Sequence, residues 1–107
     1  MINHDDLMIT GLNDLHYRWL EVRDHLLKGD TLLLARRGKP LALIKPLSPD
    51  DKPPREALVR SVTYIRRNKR DFVFKLLDGE KMVLTYRGKK IGLVNPRIPK
   101  KILGRYT

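Results

Sequence analysis

Apolar positions change their period along this chain in a fixed order. "LMITGL", Leu7 to Leu12, is a short apolar stretch of strand length, after which Leu15, Trp19, Val22 and Leu26 recur at the three- and four-residue spacing of one helix face. Asn13 stands where an N-cap oxygen would accept from the free amides of a first helical turn. Gly29 stands where the chain must turn left-handed to leave the helix. Two further apolar runs, "TLLLAR" and "PLALIK", are joined by a tight "RGK" turn and predict a β-hairpin. The unit is strand, helix, hairpin.

The same order returns fifty residues later without a gap. "ALVRSV", Ala57 to Val62, is the strand, Thr63 the N-cap candidate, Ile65, Phe72 and Leu76 the helix face, Gly79 its stop, and "KMVLTY" and "KIGLVN" the hairpin. Sliding the chain by fifty positions matches Leu26 with Leu76, Leu34 with Leu84, Arg37-Gly38-Lys39 with Arg87-Gly88-Lys89, and Pro46 with Pro96. Self-similarity of this length marks an internal duplication. Residues 1–48 form the first repeat, 49–56 a Pro-rich linker, and 57–107 a second repeat with a short basic tail.

Units of about 50 residues bury too little surface to fold alone, so the two repeats are expected to share a core. Pro46, Pro49, Pro53 and Pro54 keep the connection irregular and stiff, and ten extended residues reach about 30 Å, enough to cross one unit. The fold class expected is α+β, with the two strand-helix-hairpin repeats packed as an intramolecular pseudo-dimer about a pseudo-twofold axis. Ala42 and Gly92 fall at the same small position, which suits close packing of helix on sheet.

Charge changes this picture. Of 107 residues, positions 1–50 carry 7 Lys+Arg and 7 Asp+Glu, whereas 51–107 carry 16 and 5, so the whole net charge of +11 lies in the second half. Solubility alone would be served by an even spread; the asymmetry points to a polyanion, with nucleic acid ahead of an anionic membrane surface. No run approaches the roughly 18 to 20 apolar residues of a membrane span. The N-terminal stretch lacks the basic region and apolar run of a signal peptide, so a cytoplasmic location is expected. With no cysteine there is no disulfide, thiolate zinc site or Cys nucleophile.

Two groups of cations are candidates for contacting phosphate. Arg66, Arg67, Lys69 and Arg70 fall by this reading in the opening turns of the second helix. Cations there oppose the helix dipole at about a few tenths of a kcal/mol each, a sign that reverses when a phosphate joins them. Lys69 also takes the place that Trp19 fills in the first repeat, so either a core site has become a charge or the helix has rotated. The second group is the pair of hairpin tips, Arg36, Arg37 and Lys39 in one repeat and Arg87, Lys89 and Lys90 in the other, which a pseudo-twofold could set against phosphates flanking one groove. Gly38 and Gly88 serve the turns themselves. His4, His16 and His25 lack metal-ligand spacing, and Asp5, Asp6, Asp50 and Asp51 read as end and linker acids. No nucleophile-base set or phosphate loop is visible, so neither an enzyme nor a cofactor or metal is expected.

"NDLHYRWLEVRDHLLKGDTLLLARRGKPLALIKP" resembles the Phd/YefM (prevent-host-death) antitoxin family, whose motifs are a Ser-Glu-Ala-Arg helix start, a Gly-Glu type helix end and a strand closing on Arg-x-Gly-Lys-Pro. The likeness covers Leu7 to Pro46 closely and Ala57 to Pro96 more loosely. It implies an α+β fold that dimerises on operator DNA, usually with a C-terminal tail that wraps a protein toxin. The family's helix-start Arg falls on His16 and Arg66, and the Arg before its Arg-Gly turn on Arg36 and Tyr86, so each repeat keeps one of the two. In place of such a tail, the first repeat runs into the linker and the second into "RIPKKILGRYT". The expected function is therefore double-stranded DNA binding by a small transcriptional repressor or regulator, as a monomeric pseudo-dimer or a homodimer. The alternatives are an antitoxin that neutralises a protein toxin, and an RNA-binding protein, which the scarcity of exposed-looking aromatics beyond Tyr64, Tyr86 and Tyr106 weakly disfavours.

Overall fold

The computed structural model describes residues 2–4 and 7–106. Asp5 and Asp6, and the side chains of His4 and Tyr106, lie outside the described residues. Seven strands form one mixed sheet in the order β1-β2-β3-β4-β7-β6-β5. They are β1 Ile2–His4, β2 Leu7–Gly11, β3 Leu32–Arg36, β4 Lys39–Pro46, β5 Leu58–Ser61, β6 Met82–Tyr86 and β7 Lys89–Asn95. The helices are α1 Asp14–Tyr17, α2 Trp19–Leu27, α3 Val62–Arg67, α4 Lys69–Leu77 and α5 Lys100–Tyr106. The architecture is α+β, as the hydrophobic periods indicated.

Strand pairing repeats at an offset of fifty. Parallel β2 and β3 place Met8 opposite Leu32, and parallel β5 and β6 place Leu58 opposite Met82. Each hairpin carries the same irregularity, between Leu34 and Ala35 in one and between Leu84 and Thr85 in the other. Antiparallel β4 and β7 join the halves at the middle of the sheet, where Ile44 faces Val94, its own counterpart. One strand breaks the correspondence. β1 extends the sheet beside β2, whereas the matching stretch before β5 holds Pro53 and Pro54, which cannot supply a ladder of amide donors.

One apolar cluster draws on both halves: Leu15, Trp19, Val22 and Leu26 beneath the first helices meet Ile65, Phe72 and Leu76 beneath the second, over Leu34, Ile44, Leu84 and Val94 of the sheet. The second helix of each half reaches the other half's strands, α2 against β7 and α4 against β4. Gly92 permits this closeness. A Cβ there would stand 3.1 Å from Ile44 Cγ2 and 3.2 Å from the Lys45 carbonyl oxygen. On the opposite face a smaller cluster, Leu7, Leu33 and Leu43, is covered by Ile98 and Ile102 of the C-terminal segment.

The helices depart from the sequence reading in two ways. Each expected helix is broken once, at Arg18 and at Asn68, whose backbones leave the helical region at φ −126°, ψ 35° and φ −129°, ψ 50°. At Asn68 both the backbone amide and the side-chain amide donate to the Tyr64 carbonyl, each at 2.9 Å. The N-cap of α3 is Ser61, whose hydroxyl accepts from the Tyr64 amide at 3.0 Å; Thr63 lies inside the helix. Asn13 does precede α1 but makes no side-chain cap bond. Both expected stops hold, with Gly29 at φ +94° and Gly79 at φ +86°. The amides of Gly29 and Asp30 return to Leu26 and His25, and those of Gly79 and Glu80 to Leu76 and Lys75, in one Schellman pattern used twice.

Candidate nucleic-acid interface

The break at Asn68 redistributes the four cations of the second helix. Arg66 and Arg67 close α3, where the helix dipole favours positive charge, so the penalty expected for cations in an opening turn does not apply to them. Lys69 and Arg70 open α4, a nine-residue helix whose first turn receives no side-chain cap. The helix start thus carries two cations beside its uncapped first turn. Asp71, the acid next in sequence, is occupied: its carboxylate accepts from the Tyr64 hydroxyl at 2.7 Å. That bond, followed by burial, holds the Tyr64 hydroxyl above its usual pKa, so the phenol stays protonated and keeps donating.

The fold then brings the first repeat's hairpin tip to this place. Arg36 lines one depression with Lys69, Arg70, Val73 and Phe74, and an adjoining one with Arg37, Asn13 and Asp14. Positions 36 and 69 are the counterparts of 86 and 19. At the other end of the molecule those counterparts are an aromatic pair, Trp19 and Tyr86, with ring centroids 5.3 Å apart. An aromatic pair in one half is thus replaced in the other by two cations that line one depression. Bulk has moved to compensate: Phe72, fully buried, stands where the first half has Val22, while Lys69 stays half-buried with its Nζ 5.7 Å from the centre of the Tyr17 ring. Among the described residues none of Arg36, Arg37, Lys39, Arg66, Arg67, Lys69 or Arg70 makes an ion pair; the pairs present join Arg18 with Asp14 and Glu21, Arg23 with Asp24, His25 with Asp30, and Lys81 with Glu56.

His16, the counterpart of Arg66, is half-buried where α1 meets α3. Burial, then the charges of Lys69 and Arg66, hold its pKa below the usual value of 6.5, and its Nδ1 is buried without a partner among the described residues. Both hairpin tips place Arg at positive φ, Arg37 at 52° and Arg87 at 51°, each preceding a Gly. This is the two-residue turn that prefers Asn-Gly, and Arg there costs about 1–2 kcal/mol of backbone strain.

Arg87, Lys89 and Lys90 do not join this surface. Because β4 and β7 run antiparallel from a common centre, their hairpins point to opposite ends of a body 34 Å in its longest dimension, so the two tips cannot flank one narrow groove. Lys90 is engaged elsewhere, donating to the Asp51 carbonyl of the linker at 2.9 Å. Arg87 lies 5.3 Å from the Tyr86 ring. Tyr17, by sequence only the uncharged match of Arg67, has its ring beneath Lys69. Among the described residues no cluster of His, Asp and Glu could hold a metal ion, and no helix is long and apolar enough to cross a membrane. Comparison with known proteins finds no matching family model, no matching curated protein and no matching solved structure.

Proposed function

We propose that this chain is a tandem pair of Phd-like units, a covalent pseudo-dimer about an axis near Ile44 and Val94, that binds double-stranded DNA as a cytoplasmic regulator and catalyses nothing. The observation that carries the reading is the exchange of the Trp19–Tyr86 contact for Lys69 beside Arg36 at the matching positions. Lining one depression with like charges, while Asp71 is bonded to Tyr64 and Asp14 accepts from the Gly11 amide, is unfavourable for the isolated fold. Beside a phosphate it becomes favourable, because guanidinium, ammonium and free helix amides converge on one anion. Arg36, Arg37 and Lys39 at the tip, Lys69 and Arg70 at the start of α4, and Arg66 and Arg67 at the end of α3 form the proposed contact. Its off-centre position means that the two halves do not read identical half-sites.

Selection from random duplexes tests this and yields the preferred sequence in one experiment. On the selected site and on unrelated duplex at matched salt, Arg66→Gln with Arg67→Gln is expected to weaken both, since phosphate contacts carry no sequence information. Arg36→Gln is expected to weaken the selected site preferentially, by about 1–3 kcal/mol if the side chain reaches a base edge. Variants that bind like the parent would reduce the basic face to a solvated surface. A preference for structured RNA over every duplex would replace DNA as the partner.

A further inference from the structure

The two halves differ most in the course of the chain beyond each hairpin. After Pro96 the chain crosses to the far face, where Ile98 and Ile102 pack over Leu7 and Leu33. After Pro46 it stays on the helix side and builds a wall. The Leu47 amide donates to the Ile91 carbonyl at 3.0 Å, the Ser48 amide to the Asp51 carboxylate at 2.7 Å, and Lys90 holds the Asp51 carbonyl. Between this wall, the end of α2 and the start of β7 lies a cavity of about 790 Å³. The depression at the opposite end, beside Arg36 and α4, holds about 270 Å³. At this position, then, the first half's helix end borders a groove about three times the volume of its counterpart.

Its floor and sides are apolar: Leu26, Leu27, Pro46, Leu47, Tyr86 and Ile91. Leu27 is 70% exposed although it sits among them. The rim is cationic, with Arg23, Lys28, Arg87, Lys89 and Lys90, against one acid, Asp51, whose carboxylate already accepts from the Ser48 amide. Lys28 and Lys89 have no ion-pair partner among the described residues. An apolar trough edged by cations complements a ligand of one kind, an apolar body with an anionic head. Its volume falls within the range of about 300–1,000 Å³ that suits small molecules.

We propose that this groove binds a small anionic amphiphile, a carboxylate or phosphate head on an apolar body, with the body against Leu27 and Ile91 and the head toward Lys89 and Arg87. The proposal is independent of DNA binding, since none of these residues belongs to the surface of Arg36, Arg66 and Lys69.

Trp19, the single tryptophan, has its ring 5.3 Å from that of Tyr86, which lines the groove, and so reports occupancy by fluorescence. The probe is decanoate, kept below its micelle-forming concentration, with 1-decanol as its uncharged match. Saturable binding of one decanoate per chain is expected, with decanol about tenfold weaker or worse. Leu27→Gln, which removes apolar wall at an exposed site, and Lys89→Gln, which removes a rim charge, are each expected to weaken decanoate about tenfold or more. Leu77→Gln, the same exposed leucine of the other half, is expected to bind like the parent. No saturation below about 1 mM, decanol equal to decanoate, or equal loss in the Leu27 and Leu77 variants would overturn the proposal. Leu27-dependent capture of an acidic amphipathic peptide in the absence of decanoate binding would overturn it in favour of a protein partner.

Discussion

Gly92→Ala probes the junction at which the two halves meet. Its new Cβ would lie 3.1 Å from Ile44 Cγ2, 3.2 Å from the Lys45 carbonyl oxygen and 3.6 Å from Leu26 Cδ1. Only the last is an ordinary contact, since carbon atoms rest at about 3.5–4.0 Å. Ile44 is fully buried and the Lys45 carbonyl belongs to the backbone of the adjoining strand, so neither can yield without shifting β4 against β7. Overpacking of this kind costs about 1–3 kcal/mol, while replacing glycine within a strand returns about 0.5–1 kcal/mol of chain entropy. The net expectation is a loss of about 1–2 kcal/mol, read as a lower urea midpoint at unchanged slope and a Tm lower by roughly 5–10 °C. Gly104→Ala is the control: a Cβ there meets nothing within 4 Å on a helix, so that variant should gain about 0.5–1 kcal/mol. A Gly92→Ala protein as stable as the parent, or more so, would refute the close approach of α2, β4 and β7.

Two further outcomes rest on the shared core and on His16. Residues 1–48 alone would expose Ile44 and the edge of β4, so the fragment is expected to be unfolded or self-associated by circular dichroism and sedimentation; a monomer melting cooperatively would contradict a core held in common. Because the folded pKa of His16 is depressed, the unfolded chain binds more protons just below pH 6.5. Its contribution to stability is fully present above that pH and is lost as pH falls toward the folded pKa. Urea titrations between pH 5 and 8 should show a decline that His16→Gln lessens, and identical pH profiles for both proteins would remove His16 as its source.

Much of the fold was legible because the chain states it twice. The periods of Leu15, Trp19, Val22 and Leu26 and the stops at Gly29 and Gly79 gave the buried faces and the helix ends correctly. The breaks at Arg18 and Asn68 were not legible. Residues on both sides of each break still face the core, so the apolar spacing survives while the hydrogen-bond ladder does not. That gap explains why Arg66 and Arg67 were assigned to the wrong helix terminus. The direction in which the hairpins point depends on β4 pairing with β7, a long-range choice that no local pattern encodes. The depression that Arg36 lines with Lys69 and Arg70, on which the candidate site depends, arises from that same pairing.

Salt dependence of duplex binding tests the central claim most directly. If about six of the seven cations of the proposed contact neutralise phosphates, log affinity should fall with log salt at a slope near −5, roughly a 10³-fold loss between 50 and 200 mM. Fluorescence anisotropy on the selected duplex measures this slope, and Arg66→Gln with Arg67→Gln should make it shallower by about 2 units. Steep dependence that flattens in the double variant is the result this account requires. Absence of binding at 50 mM, a slope near zero, or a slope unmoved by losing both arginines would contradict it.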